Sequence, residues 1–256
     1  MSRRQSAIIR IIAWSIAVIA LSAVLILGMT GRLSIRSFAG FSGYTYSNGD
    51  KYKAGGASID ADKVDKVEID WISGNVSVEA YDGDTIQFKE KNAEKLKENE
   101  KLHYYNDHGT LKIEFKKSER KLFSTSGFKK DKELIVRIPQ KELDGISVDT
   151  VSANVTVSRI TAESLIIDTT SGDIRVDGSF EEIDLDTVSG EFLAELLRCP
   201  DEIKTDSVSG DVTIRIPDNE GFTYKKDSVS GSFECDFDVK QKEDRGTYKN
   251  GDASFR

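Results

Sequence analysis

The chain has 256 residues, of which 38% are hydrophobic and 31% are charged, and it contains three prolines. This composition excludes collagen-like and proline-rich disordered chains, and two cysteines exclude a disulfide-stapled miniprotein or a multi-cysteine zinc module. The formal net charge of -8 argues against nucleic acid as a partner, because nucleic-acid binders need a basic surface. Two histidines leave little room for histidine-based catalysis.

The N-terminal segment is a predicted membrane anchor. Residues 11–31 contain no charged side chain, and a helix of that length reaches about 31 Å, the thickness of a hydrocarbon core. Arginines flank it on both sides, and their balance favours a cytoplasmic N-terminus at 1–10. A cleaved signal peptide would have a shorter apolar region, and a buried globular helix would be amphipathic. We therefore expect an uncleaved single-pass anchor in the cell membrane, a linker over 32–56, and an extracytoplasmic domain after it.

Most of the remaining chain is an internal repeat of a seven-residue motif. Its seven positions are, in order, Asp; a polar or aromatic residue; an apolar residue or Thr; Ser; Gly or Ala; a polar residue; and an apolar residue. Its six copies are DWISGNV (70–76), DTVSANV (149–155), DTTSGDI (168–174), DTVSGEF (186–192), DSVSGDV (206–212) and DSVSGSF (227–233). The last five copies begin 18 to 21 residues apart, and the first gap of 79 residues is about four such periods. A fixed period of this length indicates a repeat architecture.

The residues around each copy alternate between apolar and polar, as they do in β-strands. Ile146 and Val148 precede one motif, for example, and Val155 and Val157 follow it. β-branched residues dominate and no amphipathic helix fits between copies, which excludes a βαβ layout. We therefore predict an all-β fold, a single-stranded parallel β-solenoid of about 20 residues per coil, with irregular coils over 57–143 and regular coils over 144–256.

The Ser-Gly pair of each motif is a predicted corner. Glycine allows a turn where a Cβ atom would clash, and the predicted turn glycines are Gly74, Gly172, Gly190, Gly210 and Gly231. Ala153 takes this position in the second copy, so a positive φ is not expected in every coil. The six serines should stack as a hydroxyl ladder. They are not predicted nucleophiles, because none lies in a G-x-S-x-G motif.

The aspartate that opens each motif is the main chemical candidate. Stacked carboxylates about 4.8 Å apart repel by about 0.9 kcal/mol in water and by more at low dielectric. They must be solvated, bonded to the backbone, or neutralised by a cation. Turn capping is the favoured interpretation, and a divalent cation such as calcium, which needs six to eight oxygen ligands, is the alternative. The candidate ligands are Asp168, Asp186, Asp206 and Asp227. No other cofactor and no catalytic residue is predicted.

The two halves of the predicted ectodomain differ in charge. Residues 89–132 hold 13 Lys/Arg and eight Asp/Glu, whereas residues 144–256 hold 12 and 25. The positive charges of residues 89–132, here called the basic half, keep its strands soluble. Alternatively, they face an anionic cell-wall polymer or lipid headgroups. Within it, LHYYND and TLKIEF predict a hairpin with its turn at 108–109. His103 and His108 are expected to be surface residues of that hairpin and not metal ligands.

An enzymatic function is not expected. Some parallel β-helices cleave acidic polysaccharides, but they do so in clefts built from long loops, and coils of 18 to 21 residues leave little chain for such walls. Cys199 and Cys235 lie at different phases of the repeat, so we expect two free thiols instead of an aligned disulfide.

The corner motifs DTTSGDI, DTVSGEF, DSVSGDV and DSVSGSF resemble the bacterial "putative adhesin" family, domain of unknown function 4097, in the membrane-anchored form typical of Firmicutes. So do the lead-in KVDKVEIDWISGNVSVEAYDGDTI (63–86) and the segments LHYYND, TLKIEF and LIVRIP. The resemblance covers about residues 60–256. It implies a β-solenoid in the cell envelope with no assigned catalytic residues. We expect a non-catalytic binding or scaffold domain whose partner is a cell-wall polymer or an envelope protein. The alternatives are an accessory or sensor component of an envelope-stress response and, third, a polysaccharide-active β-helix enzyme.

Overall fold

The structure is a computed structural model that describes residues 44–119, 132–226 and 232–256. The predicted anchor at 11–31 and the predicted site residues Asp227 and Gly231 lie outside these ranges. Within them, no helix has the length and apolar character needed to cross a membrane.

The chain divides into two compact units, Met1–Gly49 with Ser118–Ser126, and Asp50–Lys117 with Gly127–Arg256. The described part of the smaller unit is held by an isolated antiparallel bridge between Tyr44 and Glu119. The backbone N–H of Tyr46 donates a hydrogen bond to Ser118 Oγ at 3.2 Å. All the strands discussed below belong to the larger unit.

The described chain is all-β, as the sequence predicts, apart from two short 3-10 turns at Ala61–Lys63 and Ala93–Lys95. The strands are β1 (Lys53–Ala54), β2 (Ala57–Asp60), β3 (Lys66–Tyr81), β4 (Thr85–Glu90), β5 (His103–Asp107), β6 (Thr110–Glu114), β7 (Lys132–Pro139), β8 (Glu142–Ser171), β9 (Ile174–Ser189), β10 (Phe192–Leu196), β11 (Glu202–Ser209), β12 (Val212–Arg215), β13 (Gly221–Lys225), β14 (Lys240–Lys242), β15 (Arg245–Lys249) and β16 (Ala253–Phe255).

Successive copies of the motif pair with one another in parallel. β3 pairs with β8, β8 with β9, and β9 with β11, so that equivalent motif positions lie opposite each other. After the corners the same stacking continues from β9 to β10 and from β10 to β12. Strand β8 is 30 residues long and carries one whole copy of the motif and the first four residues of the next. The ladders therefore give the described chain a β-solenoid-like arrangement.

The core lies inside these ladders and follows the predicted alternation. Inward positions of consecutive copies stack, as in the row of buried side chains Val76, Val155, Ile174 and Phe192. Burying each such side chain contributes roughly 1.5–3 kcal/mol. The largest fully buried side chains include Trp71, Phe88, Phe115, Phe180 and Phe192.

Both ends of the stack depart from purely parallel pairing. β5 and β6 form the predicted antiparallel hairpin, and its turn residues His108 and Gly109 have φ values of 51° and 93°. β2 and β7 pair antiparallel with β4, and β15 pairs antiparallel with β13 and β14. Tight turns join antiparallel neighbours, whereas parallel pairing needs a longer crossover. The single-stranded parallel description therefore does not extend to these end segments.

The prediction of two surface histidines is right for His108 and wrong for His103. His108 is exposed and bonds Asp107, whereas His103 is only 5% exposed. Its Nδ1 lies 3.0 Å from the carbonyl oxygen of Lys101. Burial lowers the pKa of His103 below its usual value. The two cysteines are free thiols, as expected.

The corner glycines bring neighbouring backbones into close approach. Gly172, Gly190 and Gly210 have φ values of 131°, 135° and 140°. A Cβ atom on Gly190 would overlap the carbonyl oxygen of Gly172, and one on Gly210 would overlap that of Gly190. At Gly172 the overlapping oxygen belongs to Ala153. These positions therefore need glycine both for their φ and for the space between coils.

We predict that Gly190→Ala lowers the free energy of unfolding by more than Gly55→Ala does. Both residues have positive φ, but no atom lies within 4 Å of a Cβ placed on Gly55. The control therefore carries only the dihedral strain, about 1–3 kcal/mol, whereas Gly190→Ala adds the clash with a backbone carbonyl. Urea unfolding of both purified variants measures the difference, and equal losses would contradict the close-approach explanation.

Candidate functional site

The aspartates that open the motifs form a single row across the sheet, here called the aspartate row. Asp70 lies opposite Asp149, Asp168 opposite Asp186, and Asp186 opposite Asp206. Asp149 and Asp168 are joined by a side-chain hydrogen bond. The parallel ladders, together with the hydrogen bond between Asp149 and Asp168, thus place five carboxyl groups at successive strand positions, about 4.8 Å apart.

The middle of the aspartate row is buried. The exposed fractions are 6% for Asp168 and 8% for Asp186, whereas Asp206 at the end of the row is exposed. Asp149 Oδ1 is buried without a hydrogen-bond partner in the described part of the chain. A buried carboxylate oxygen without a donor is costly when charged, so this environment favours the neutral acid.

Burial is the largest cause of the pKa shifts in the row. It raises the pKa of Asp149 to about 9, with further repulsion from Asp70 and Asp168. It raises the pKa of Asp168 to about 7, although the hydrogen bond with Asp149 acts in the opposite direction. It raises the pKa of Asp70 to about 6, where repulsion from Glu68 outweighs attraction by Lys112.

The aspartate row therefore shares protons at neutral pH. Two carboxylates at this spacing repel by about 3.5 kcal/mol at an effective dielectric of 20, so neighbours do not all ionise together. Burial and repulsion both favour the protonated form of Asp149, and its hydrogen bond to Asp168 lowers the pKa of Asp168.

Hydroxyl groups beside the aspartate row form hydrogen bonds within the corners. Thr150 Oγ1 donates to Thr169 Oγ1 at 2.8 Å, and Thr169 Oγ1 donates to the carbonyl oxygen of Ser171 at 3.1 Å. Ser171 Oγ in turn donates to the carbonyl oxygen of Val151 at 3.4 Å. These contacts hold the turn together and engage the hydroxyls of Thr150, Thr169 and Ser171.

The predicted cation site stays a prediction, because one of its four candidate ligands, Asp227, lies outside the described residues. Three of its four candidate ligands, Asp168, Asp186 and Asp206, do stack in one row. However, no group of three or more His, Cys, Asp or Glu side chains within the described ranges is placed to hold a metal ion. A straight row offers one carboxylate per strand, whereas calcium needs six to eight converging oxygens. The geometry favours proton sharing.

A second buried charged group lies in the basic half and was missed by the sequence analysis. Lys132 Nζ forms an ion pair with Glu90 and donates a hydrogen bond to the carbonyl oxygen of Glu100 at 2.8 Å. It lies 4.9 Å from the ring centre of Trp71 and 4.1 Å from that of Phe115. Burial lowers the pKa of Lys132 to about 8, and the pairing with Glu90 opposes that shift.

This ion pair removes two charges from the surface of the basic half. The alternation of the two strands indicates that both side chains point inward. Glu90 is two residues after Phe88 and four after Ile86, which are buried, and Lys132 is two residues before the buried Leu134. Residues at inward positions of a strand are buried whatever their charge, provided that they are paired.

Comparison with known proteins identifies a family. A model of the Toastrack family, DUF4097, matches residues 64–179 and 176–255, which confirms the resemblance seen in the corner motifs. No curated protein matches the chain.

Several solved structures are similar to this chain at low identity. A putative cell adhesion protein from Clostridium sporogenes is 13% identical, with a TM-score of 0.46 over 80% of this chain and 92% of the other. A putative adhesin from Bacteroides fragilis is 18% identical, with a TM-score of 0.40 over 62% and 78%. A putative adhesin from Parabacteroides distasonis is 16% identical, with a TM-score of 0.35 over 62% and 72%.

We predict that the aspartate row makes the chain less stable as the pH rises. Carboxyl groups whose pKa is raised on folding contribute stability that is complete below the unfolded value near 3.8 and is lost as the pH passes through about 6, 7 and 9. Most of this loss should fall between pH 5 and pH 9. Asp149→Asn should flatten this slope, because the neutral amide does not ionise.

Urea unfolding at pH 5, 7 and 9 measures this pH dependence. Asp206→Asn is the matched control, since Asp206 belongs to the same row but is exposed at its end. It should keep the slope of the unmodified chain. An Asp149→Asn variant with an unchanged slope would contradict proton sharing in the row.

Proposed function

The chain belongs to the Toastrack family, and on that premise we propose that it is a non-catalytic binding or scaffold domain of the bacterial cell envelope. In this proposal residues 11–31 anchor it in the cell membrane with the N-terminus in the cytoplasm, and the larger unit lies outside. Its partner is an anionic polymer of the cell wall.

The single observation that carries the non-catalytic part is the shortness of the corners. Between β8 and β12 three of the four connections are two residues long, at 172–173, 190–191 and 210–211, and the fourth spans 197–201. Enzyme clefts need walls, and long loops supply them on a repeat fold. Between Glu142 and Arg215, all within the described chain, no such loop is present.

The parallel ladders support a single-stranded β-solenoid of about 20 residues per coil over the regular part of the chain. Equivalent motif positions lie opposite one another from β3 to β11. A stack of this kind presents long straight rows of side chains, and repeat folds use such extended surfaces for binding. An extended polymer is the ligand shape that this surface fits.

The charge of the basic half supports an anionic ligand. Four lysines and two glutamates of residues 89–98 are exposed, whereas Glu90 is buried in its ion pair with Lys132, so the exposed side chains of this stretch carry a net positive charge. Exposed positive charge attracts an anionic polymer over a Debye length of roughly 8–10 Å. The acidic half repels the same polymer, so contact should be restricted to the basic end.

We predict that the purified chain co-sediments with isolated cell walls and that Lys95→Glu/Lys97→Glu weakens this binding severalfold. The matched control is Lys240→Glu/Lys242→Glu, which makes the same charge change at two exposed lysines of β14. Binding should also fall as salt increases, because the contact is electrostatic. Absence of binding to walls, or equal loss in both variants, would contradict the proposal.

A further inference from the structure

The C-terminal strand β16 interrupts the stacking of the repeat. The motif spacing of 21 residues between the last two copies aligns Thr223 with Glu202 and Tyr224 with Ile203. In the structure these residues keep that register, but β16 lies between them: Ser254 pairs with both Glu202 and Thr223. β13 is therefore displaced by one strand from the position that the repeat predicts.

Among the described strands, this insertion leaves an open edge on the preceding coil. β16 pairs with β11 only at Glu202 and Ile203, followed by a hydrogen bond from the N–H of Thr205 to the carbonyl oxygen of Arg256 at 2.8 Å. β12, which continues the same coil, pairs with β10 alone in the described chain. Unpaired N–H and C=O groups on such an edge are a template for another strand.

The open edge exposes part of the core row. Val212 is 38% exposed, although the residues stacked beneath it, Phe192, Ile174 and Val155, are buried. All four large hydrophobic side chains recorded as exposed in the described ranges fall between residues 197 and 233; they are Leu197, Val208, Val212 and Phe233. Exposed apolar groups concentrated in one region typically mark a contact surface.

We propose that β12 pairs with β12 of a second copy of this chain, antiparallel about Thr213, so that two stacks join edge to edge. Residues directly opposite in an antiparallel pair place their side chains on the same face of the sheet. This register sets Val212 opposite Ile214 of the second copy on the core side. It also sets Asp211 opposite Arg215 of the second copy on the outer side.

The sequence of the edge selects this register and this occupant. Moving the twofold axis to Val212 would place Asp211 opposite Thr213, and moving it to Ile214 would place Arg215 opposite Thr213, so of these three registers only the one about Thr213 pairs the two opposite charges. Arg215 already forms an ion pair with Glu195 of the neighbouring strand β10, which holds its guanidinium on the outer face. Two Asp211–Arg215 contacts and two Val212–Ile214 contacts arise from one symmetric pairing.

The test is site-specific cross-linking of the full chain in mild detergent. Thr213→Cys is made in a background of Cys199→Ser and Cys235→Ser and treated with a short bismaleimide. Thiols at the twofold axis lie about 5 Å apart, so a covalent dimer is expected. The matched control is Thr156→Cys, an exposed residue of β8 in the same row whose strand is paired on both sides, at Ser77 and Arg175.

A charge swap tests the register by a second measurement. Asp211→Arg places two arginines opposite each other and should weaken dimerisation about tenfold in sedimentation equilibrium. Adding Arg215→Asp should restore it, and circular dichroism checks that both variants are folded. A monomer at every concentration, equal cross-linking of Thr156→Cys, or a swap that does not restore the dimer would each overturn the proposal.

Discussion

The structure depends on the close approach of backbones at the glycine corners. At Gly172, Gly190 and Gly210 the carbonyl oxygen of the preceding copy occupies the space that a Cβ atom would fill. Because Gly172, Gly190 and Gly210 all adopt φ values that favour glycine, each copy turns at the same place as its neighbour. A shift of one residue would move every apolar side chain from the core face to the outer face. The corner therefore fixes the register of the whole stack.

The aspartate row is a direct consequence of this fixed register. Identical motifs in one register place identical side chains next to one another, and for a buried acid this juxtaposition is unfavourable unless charge is removed. Burial and the neighbouring carboxyl groups raise the pKa of Asp149, so its uncharged form is favoured in the row. The same register brings threonine hydroxyls together, where they bond each other and the turn backbone. The contacts between equivalent side chains of neighbouring copies therefore stabilise the fold.

The sequence predicts the repetitive part of this fold well and the exceptions poorly. The motif spacing identifies the corners and the aspartate neighbours, and the turn at His108 and Gly109 identifies a hairpin. Burial of Lys132 and His103 is not evident from composition, because charge and polarity suggest a surface position until tertiary partners are known. The insertion of β16 between β11 and β13 depends on long-range pairing that competes with the repeat, and a periodic pattern does not report such competition.

The most direct measurement of the register is a distance along one row of the stack. Asn75 and Asp211 are exposed residues that follow their corner glycines, four strand steps apart through Asn154, Asp173 and Glu191. Spin labels at both positions, diluted with unlabelled chain, report their separation by pulsed electron paramagnetic resonance. In-register stacking predicts one narrow distribution centred at about 19 Å between backbones, widened only by the label tethers. A broad distribution, or a separation twice as large, would contradict it.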